Sequence, residues 1–186
     1  LGLYLHIPFC RSRCAYCDFY SISRTPDTRF SEALIREIEM KSAGFKDRVC
    51  DTIYFGGGTP STLTGMQLSE IMEALYKNFH ISDQAEITME MNPCDMTEEY
   101  LANARRLGIN RLSVGVQSHN DYLLKAIDRR HDSKAAEEAV KNQLEQLRAQ
   151  GIPAQGAAVV AMDPNTGAIL AMVSAPEFNP NWFAKG

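Results

Sequence analysis

The chain has 186 residues, of which 45% are hydrophobic and 23% are charged, and its formal net charge is −4. This length and composition suit one folded domain, or one domain joined to an incomplete second piece. The mild acidity gives no reason to expect nucleic acid or an anionic membrane as a partner, and no apolar run is long enough to span a bilayer.

A short apolar strand, predicted near residues 3–7, is followed at once by three cysteines. Cys10, Cys14 and Cys17 form a C-x3-C-x2-C loop, and thiolates at this spacing can converge on one metal centre. An iron–sulfur cube normally takes four thiolates, so three would leave one iron open to an outside ligand. Spacing alone leaves two other interpretations open: a structural zinc site short of one ligand, and unconnected buried thiols.

Cysteine usage also bears on the cellular compartment. The chain has five cysteines, and three of them are crowded into the loop from Cys10 to Cys17. This distribution favours metal ligation in a reducing environment over a disulfide framework. We therefore expect a cytoplasmic protein.

From the first strand to about residue 133 the chain repeats one plan, in which a short strand is followed by a loop and an amphipathic helix. Strands that alternate with helices indicate a parallel sheet with right-handed crossovers, so the predicted fold class is α/β. The later predicted elements are, in order, a helix at 29–42, a strand at 51–55, a helix at 65–78, a strand at 86–91, a helix at 98–107 with Thr97 as its N-cap, a strand at 111–116 and a helix at 121–127.

The unusual residues fall at or just beyond the carboxyl ends of successive strands. After the cysteine loop come the segments 56–60, 90–93 and 117–118. Binding sites of βα barrels and open α/β sheets are built at this edge. Taken singly, each segment has a structural alternative, since the glycines can form a tight turn, Glu90 can be a solvated carboxylate and Gln117 can cap a loop. Together with the cysteines they favour one site.

The chain changes character after residue 133. Residues 133–150 predict one long polar helix, and apolar runs at 157–160 and 168–173 flank a D-P-x-T-G turn, which indicates a hairpin. The expected domains are 1–133 for the α/β core, 134–150 for a helical junction and 151–186 for an incomplete hairpin tail.

The core sequence resembles the radical S-adenosylmethionine (radical SAM) superfamily, and more closely the oxygen-independent coproporphyrinogen III oxidases and the related haem chaperones called HemW. The matching segments, in order from residue 2 to about 131, are GLYLHIPFCRSRCAYCDFYS, IYFGGGTPS, EITMEMNP, RLSVGVQS and LLKAIDRRH. The resemblance implies a partial (βα) radical SAM barrel of about four parallel strands with outer helices, followed by the C-terminal β-hairpin.

The resemblance also implies a cofactor site. Cys10, Cys14 and Cys17 match the ligands of a [4Fe–4S] cluster whose fourth iron is chelated by SAM. Radical SAM proteins use such a cluster to cleave SAM reductively, and the cofactors carry that difficult step. The residues that match SAM contacts or line the family's cofactor site are Tyr4, Tyr16, Gly57, Gly58, Thr59, Glu90, Gln117 and Arg129.

Two features separate the branches of this family. The decarboxylating oxidases carry an extra cysteine shortly after the third ligand, where this sequence has Asp18 and Phe19. They also carry a substantial segment before the first strand, which this sequence does not show. The chaperone-like branch is therefore favoured, and it implies haem handling, with haem or a porphyrin as a further partner.

The tail resembles a different family. The segment GAAVVAMDPNTGAILAMVSAPEFNPNWF is similar to the opening hairpin of penicillin-binding protein transpeptidase domains, but the S-x-x-K and K-T-G elements are absent from this sequence. Transpeptidase activity is therefore excluded. A join between two unrelated segments within 133–150 is the simplest account. The alternative function is then that of a catalytically inactive truncated or chimeric fusion that retains the cluster motif. A cell-wall-associated binding module is a weaker alternative.

Overall fold

Strands and helices alternate along the chain, as the sequence pattern predicts. The computed structural model describes residues 1–149, 157–162 and 169–175. These residues belong to two units, Leu1–Gly115 and Val116–Gly186. None of the described helices combines the length and the apolar character needed to cross a bilayer.

The first unit contains one four-stranded parallel sheet and three helices. Its sheet has the strand order β1–β4–β5–β6, and each neighbouring pair is parallel. This arrangement confirms the predicted α/β class. The elements are β1 (Gly2–Ile7), β2 (Phe9–Cys10), β3 (Ile22–Ser23), α1 (Thr28–Ser42), β4 (Val49–Gly57), α2 (Gly65–Asn78), β5 (His80–Met91), α3 (Glu98–Arg106) and β6 (Arg111–Val114).

Side-chain alternation gives the sheet two different faces. Successive side chains of a strand point to opposite faces, so apolar residues at every second position collect on one side. Ile53 and Phe55 of β4 are buried there with Ile87 and Met89 of β5. The same hydrophobic cluster contains Leu68, Ile71, Met72 and Leu75 of α2. The strand positions between these residues carry polar and aromatic side chains on the opposite face.

The helices begin where their sequences supply a side-chain cap. Thr64 and Gln67 form a reciprocal capping box at the start of α2, and the bounds of this helix are those predicted. Thr97 accepts a hydrogen bond from the Tyr100 backbone N–H, which confirms its predicted role as the N-cap of α3. Asp27 caps α1 in the same way.

Strand β5 is six residues longer at its start than the sequence pattern predicts. Its first residues, His80 and Ile81, pair with Val49 and Cys50 of β4 before the register shifts. The side chains of residues 80–84 are all exposed or only partly buried, so no apolar alternation marks this part of the strand. Backbone pairing with β4 forms it instead.

The second unit contains two helices and a separate antiparallel pair of strands. The helices are α4 (Asp121–Ala126) and α5 (Ser133–Ala149), and the strands are β7 (Ala157–Met162) and β8 (Ile169–Ala175). The pairing of β7 with β8 confirms the predicted hairpin. The predicted turn at 163–167 and the end of the predicted helix at residue 150 lie outside the described residues. The domain boundaries predicted at 133 and 150 stay predictions.

The buried face of α2 provides a test of this core. Leu68 is fully buried, whereas Met66 on the same helix is largely exposed. We expect Leu68→Ala to lower the free energy of unfolding by about 2–5 kcal/mol, because it removes apolar contacts and leaves a cavity. Met66→Ala should change it by less than about 0.5 kcal/mol. Urea unfolding followed by circular dichroism measures both, and equal effects would contradict the assigned faces of α2.

Candidate functional site

The cysteine loop is closed at its base by two short paired strands. Phe9 pairs with Ile22 and Cys10 with Ser23, and the Ile22 N–H donates to the Pro8 carbonyl at 2.7 Å. The two ends of the loop between β2 and β3 are therefore held together by this strand pairing.

The three predicted metal ligands are cysteines on this loop, and none of them is in a disulfide. Cys10 is buried at the end of β2, while Cys14 and Cys17 are partly exposed. The Cys17 N–H donates to the Cys14 carbonyl at 3.1 Å, so these two cysteines share one turn. The Thr59 hydroxyl donates to the Cys10 sulfur at 3.4 Å. The loop thus supplies three sulfur donors, the first of which already accepts a hydrogen bond.

The donor set fits a cluster better than a single ion. Across the part of the chain that the structure describes, no group of three or more His, Cys, Asp or Glu side chains is arranged to hold one metal ion. A zinc site needs its ligands about 2–2.3 Å from one centre. A cubane cluster instead binds each thiolate to a different iron, so its thiolates stand farther apart. Three cysteine sulfurs on one loop are the donor set that the second arrangement requires.

Residues 56–60, called here the glycine block, pack directly against the chain that leads to Cys10. The Gly58 N–H donates to the Ile7 carbonyl at 2.9 Å, and the Thr59 N–H donates to the Phe9 carbonyl at 2.8 Å. A Cβ on Gly58 would lie 2.7 Å from the Phe9 oxygen and 2.9 Å from the Ile7 oxygen. Gly58 therefore has a packing reason to lack a side chain, apart from any ligand that its backbone could approach.

Gly57 lacks a side chain for a different reason. Its φ of +111° lies in the region that favours glycine, and a Cβ there would also meet the His6 ring. The backbone turns at this residue from β4 toward Thr59, whose hydroxyl reaches Cys10. The predicted residues Gly57, Gly58 and Thr59 thus form one connection between the sheet edge and the cysteine loop.

A connected row of polar and aromatic side chains crosses the face of the sheet opposite the helices. The Tyr4 and Tyr54 rings stack with centroids 6.2 Å apart, and the Tyr54 hydroxyl donates to Glu90 Oε1 at 2.8 Å. On the other side, the Tyr4 hydroxyl lies 3.1 Å from His6 Nδ1, and His6 Nε2 lies 3.0 Å from the Tyr20 carbonyl. The row therefore runs from Glu90 to the end of the cysteine loop.

The electrostatics of this row keep its phenols protonated. Partial burial, and after it the charge of Glu90, raises the pKa of Tyr4 above its ordinary value of 10.0. Burial also raises the pKa of Tyr54, and the hydrogen bond to Glu90 and the charge of that carboxylate raise it further. Tyr54 consequently acts as a donor to Glu90. A carboxylate accepts more than one hydrogen bond, so Glu90 can also accept from an ammonium or hydroxyl group of a ligand.

The remaining predicted residues have different surroundings. Tyr16 is about half exposed on the cysteine loop, at 51%. Gln117 and Arg129 belong to the second unit. Gln117 is exposed and has a φ of 72°, a left-handed conformation that costs energy in a residue other than glycine. The first unit brings Tyr4 and Glu90 onto one face, and it places the glycine block beside Cys10.

Tyr54 is the site residue that the sequence analysis does not identify. It stacks on Tyr4 and holds Glu90, so it connects two predicted residues. A signal for it exists in the strand period, because Tyr54 lies two residues before Gly56 and so shares a face with it. The parallel register also sets Tyr54 directly beside Tyr4. That register becomes available only with the structure.

Comparison with known sequences gives consistent matches. The model of the radical SAM superfamily matches residues 4–162. The chain is 39% identical over 144 residues to the heme chaperone HemW of Buchnera aphidicola subsp. Schizaphis graminum, covering 76% of this chain and 38% of that protein. It is 36% identical over 137 residues to the oxygen-independent coproporphyrinogen III oxidase of Salmonella typhimurium, covering 72% of this chain and 30% of that one. The chain thus spans between 30% and 38% of the length of these curated relatives.

Comparison with solved structures supports the predicted architecture. The coproporphyrinogen III oxidase HemN from Escherichia coli, described as a radical SAM enzyme, superimposes with a TM-score of 0.70 at 34% identity. The match covers 81% of this chain and 35% of that chain. It confirms the predicted partial barrel. The likeness of residues 151–186 to a penicillin-binding protein finds no support, and the family model that matches the core continues to residue 162, at the end of β7.

The close approach at Gly58 predicts a stability effect. We expect Gly58→Ala to lower the free energy of unfolding by about 1–3 kcal/mol, because its methyl group would meet backbone oxygens that cannot move aside cheaply. Gly44→Ala is the matched control, since a Cβ at Gly44 has nothing within 4 Å. Urea unfolding of both variants measures the difference. A Gly58 variant as stable as the Gly44 variant would contradict the packing described here.

The raised pKa of Tyr54 predicts a pH dependence. The folded chain holds this proton more tightly than the unfolded chain, so its contribution to stability is complete below pH 10 and is lost as pH rises through the higher folded pKa. Tyr54→Phe should therefore make the decrease in the urea midpoint less steep above pH 10. Glu90→Gln should do so in part, because burial still acts. Wild-type steepness in the Tyr54 variant would contradict the assignment.

Proposed function

Because the chain belongs to the radical SAM superfamily, we propose that it binds a [4Fe–4S] cluster through Cys10, Cys14 and Cys17, and S-adenosylmethionine beside it. The observation that carries the proposal is the loop itself, in which three cysteines outside any disulfide lie on one segment closed by β2 and β3. When bound, the cluster would supply the electron for reductive cleavage of SAM.

Thr59 would adjust the properties of the first ligand. Its hydroxyl already donates to the Cys10 sulfur. Hydrogen bonds to the sulfur ligands of an iron–sulfur cluster stabilise their negative charge and raise the reduction potential. Because the Thr59 backbone is itself bound to Phe9, the hydroxyl is held in position and would reach the thiolate at little entropic cost.

The polar row would bind SAM by charge and hydrogen bonding. Glu90, held by Tyr54, offers a carboxylate suited to an ammonium group or ribose hydroxyls. Tyr4 and Tyr16 expose aromatic surface, and the backbone of Gly57 and Gly58 is the predicted contact of the methionine part. Gln117 and Arg129 keep the role that the resemblance implies, that of polar SAM contacts, with the guanidinium directed to a carboxylate.

We propose haem handling as the wider role, in the cytoplasm. Support comes from the similarity to heme chaperone HemW proteins and from Asp18 and Phe19, which stand where the oxidase branch has a further cysteine. Phe19 and Tyr20 are largely exposed next to the cysteine loop. Flat aromatic side chains of this kind offer stacking surface to a porphyrin.

Anaerobic reconstitution with iron and sulfide tests this function. We expect the wild-type chain to take up about four iron atoms and to show the absorption of a cubane cluster. Cys14→Ala should lose the cluster, because only two thiolates remain on the loop. Cys94→Ala is the matched control, since Cys94 is an exposed free cysteine outside the loop, and this variant should load normally.

The same experiment separates the alternatives. A wild-type chain that takes up zinc but no iron–sulfur cluster would favour the zinc interpretation. A chain that binds the cluster yet releases no 5′-deoxyadenosine from SAM under strong reductant would behave as the catalytically inactive alternative. Normal loading of Cys14→Ala would contradict the ligand assignment.

A further inference from the structure

A buried carboxylate outside the predicted cofactor residues joins three segments at this edge of the sheet. Asp95 lies in the helical turn Pro93–Asp95 that follows β5, and its side chain is only 4% exposed. The Ser61 hydroxyl, just after the glycine block, donates to Asp95 Oδ2 at 2.8 Å. Arg11 Nε, on the cysteine loop, lies 3.4 Å from Asp95 Oδ1. One carboxylate thus contacts the glycine block and the cysteine loop.

Hydrogen bonds of the turn after β5 and of Ser61 fix the position of this carboxylate. The Asp95 N–H donates to the Asn92 carbonyl at 2.9 Å, and the Asn92 N–H donates to the Ser61 hydroxyl oxygen at 3.4 Å. Ser61 is itself buried. The backbone after β5, the Ser61 hydroxyl and the Asp95 carboxylate therefore form a closed set of hydrogen bonds, and the carboxylate cannot follow Arg11 if the loop moves.

Arg11 is the partner that is free to move. Its side chain is half exposed, whereas that of Asp95 is buried, so the guanidinium reaches inward from the loop to a fixed charge. A buried carboxylate that loses a cationic partner is strongly destabilised. The ion pair therefore favours loop conformations that keep Arg11 against the turn.

Arg11 directly follows Cys10 in the sequence. On the other side of Cys10, the chain is held by the hydrogen bonds of Gly58 and Thr59 to Ile7 and Phe9. Cys10 thus lies between a segment held by backbone hydrogen bonds and a residue held by an ion pair. Without the ion pair, the loop would lose its contact with the turn after β5, although the pairing of Cys10 with Ser23 would remain.

We propose that Asp95 is a positioning residue, which holds the start of the cysteine loop through Arg11 and so keeps Cys10 in the conformation that accepts the cluster. The effect on cluster loading rests on the proposed function, whereas the ordering of the loop is a property of the chain without cofactor. Ordering the loop in advance reduces the conformational entropy that is lost when the ligands are brought together.

Thiol alkylation of the cofactor-free chain tests the proposal. Cys10 is buried, so iodoacetamide reaches it only when the loop opens. We expect Asp95→Asn and Arg11→Gln each to raise the alkylation rate of Cys10 by about three- to fivefold, as for the loss of an ion pair in which one partner is half exposed. Peptide mapping by mass spectrometry measures Cys10 and Cys50 together. Cys50 is fully buried in β4, and its rate should not change.

Three further variants define the interaction. The double variant Asp95→Asn with Arg11→Gln should react no faster than the faster single variant, because the two residues act through one contact. Arg11→Lys should recover most of the protection. Asp18→Asn removes a carboxylate from the same loop, at an exposed residue for which the described structure shows no ion pair, and it should match the wild type.

The contrary outcomes are distinct. Unchanged Cys10 rates in both single variants, or additive effects in the double variant, would overturn the proposal. A parallel rise of Cys10 and Cys50 would also overturn it, because that pattern reports general destabilisation. Arg11→Gln alters a half-exposed side chain, so this variant decides the matter even where Asp95→Asn does not fold.

Cluster loading is measured separately. If the proposal and the proposed function both hold, Arg11→Gln should load iron several-fold more slowly than Asp18→Asn under the same limiting iron and sulfide. If the wild-type chain takes up no cluster while the Cys10 rates change as expected, the proposed function fails and the loop-holding role of Asp95 stands. If the wild-type chain takes up the cluster normally while the Cys10 rates are unchanged in the variants, the proposed function stands and the loop-holding role of Asp95 fails.

Discussion

The site depends on the backbone hydrogen bonds that join the glycine block to the chain leading into the cysteine loop. The Gly58 N–H group binds the carbonyl of Ile7, the last paired residue of β1, and the Thr59 N–H group binds the Phe9 carbonyl just beyond it. This contact continues the β1–β4 pairing to the sheet edge, where a side chain on Gly58 would prevent it. It brings the Thr59 hydroxyl to Cys10 and leaves Arg11 within reach of Asp95. Each of these contacts requires the two segments to be in register.

The two faces of this sheet have different roles, since one stabilises the fold and the other carries residues of the candidate site. One face packs its apolar side chains against the helices, and strands and helices both contribute to the hydrophobic cluster of the first unit. The other face carries Tyr4, Tyr54 and Glu90, which stabilise each other by stacking and hydrogen bonding. Burial and the carboxylate raise the pKa of Tyr54, so the folded chain holds the proton that Tyr54 donates to Glu90 more tightly than the unfolded chain does.

Local patterns predict those parts of the fold that depend on neighbours in sequence. The bounds of α2 and the cap at Thr97 follow from short-range hydrogen bonding and helical periodicity, and both are confirmed. The early start of β5 depends on pairing with Val49 and Cys50, which are far away in sequence, and the pattern misses it. Residues 80–84 do not alternate between buried and exposed positions, so the sequence pattern does not mark them as a strand.

In the candidate site, too, some residues can be recognised from the sequence and others cannot. The cysteines and glycines are recognisable because their types and spacing are unusual, whereas Tyr54 and Asp95 are ordinary residues whose importance arises from register and from a turn. Arg11 and Asp95 are 84 positions apart in the sequence, and no local pattern joins them. Long-range pairs of this kind require the strand order, which only the structure provides.

The short pairing of β2 with β3 has a consequence for how this loop can vary. Since both ends of the loop are joined at one point, its length contributes to folding mainly through the entropy of closing a ring, which grows only slowly as residues are added. Residues between Cys17 and Ile22 can therefore be inserted or exchanged without altering the cysteine spacing or the sheet. The fold separates the part of the loop that holds sulfur from a part that is free to diversify toward different partners.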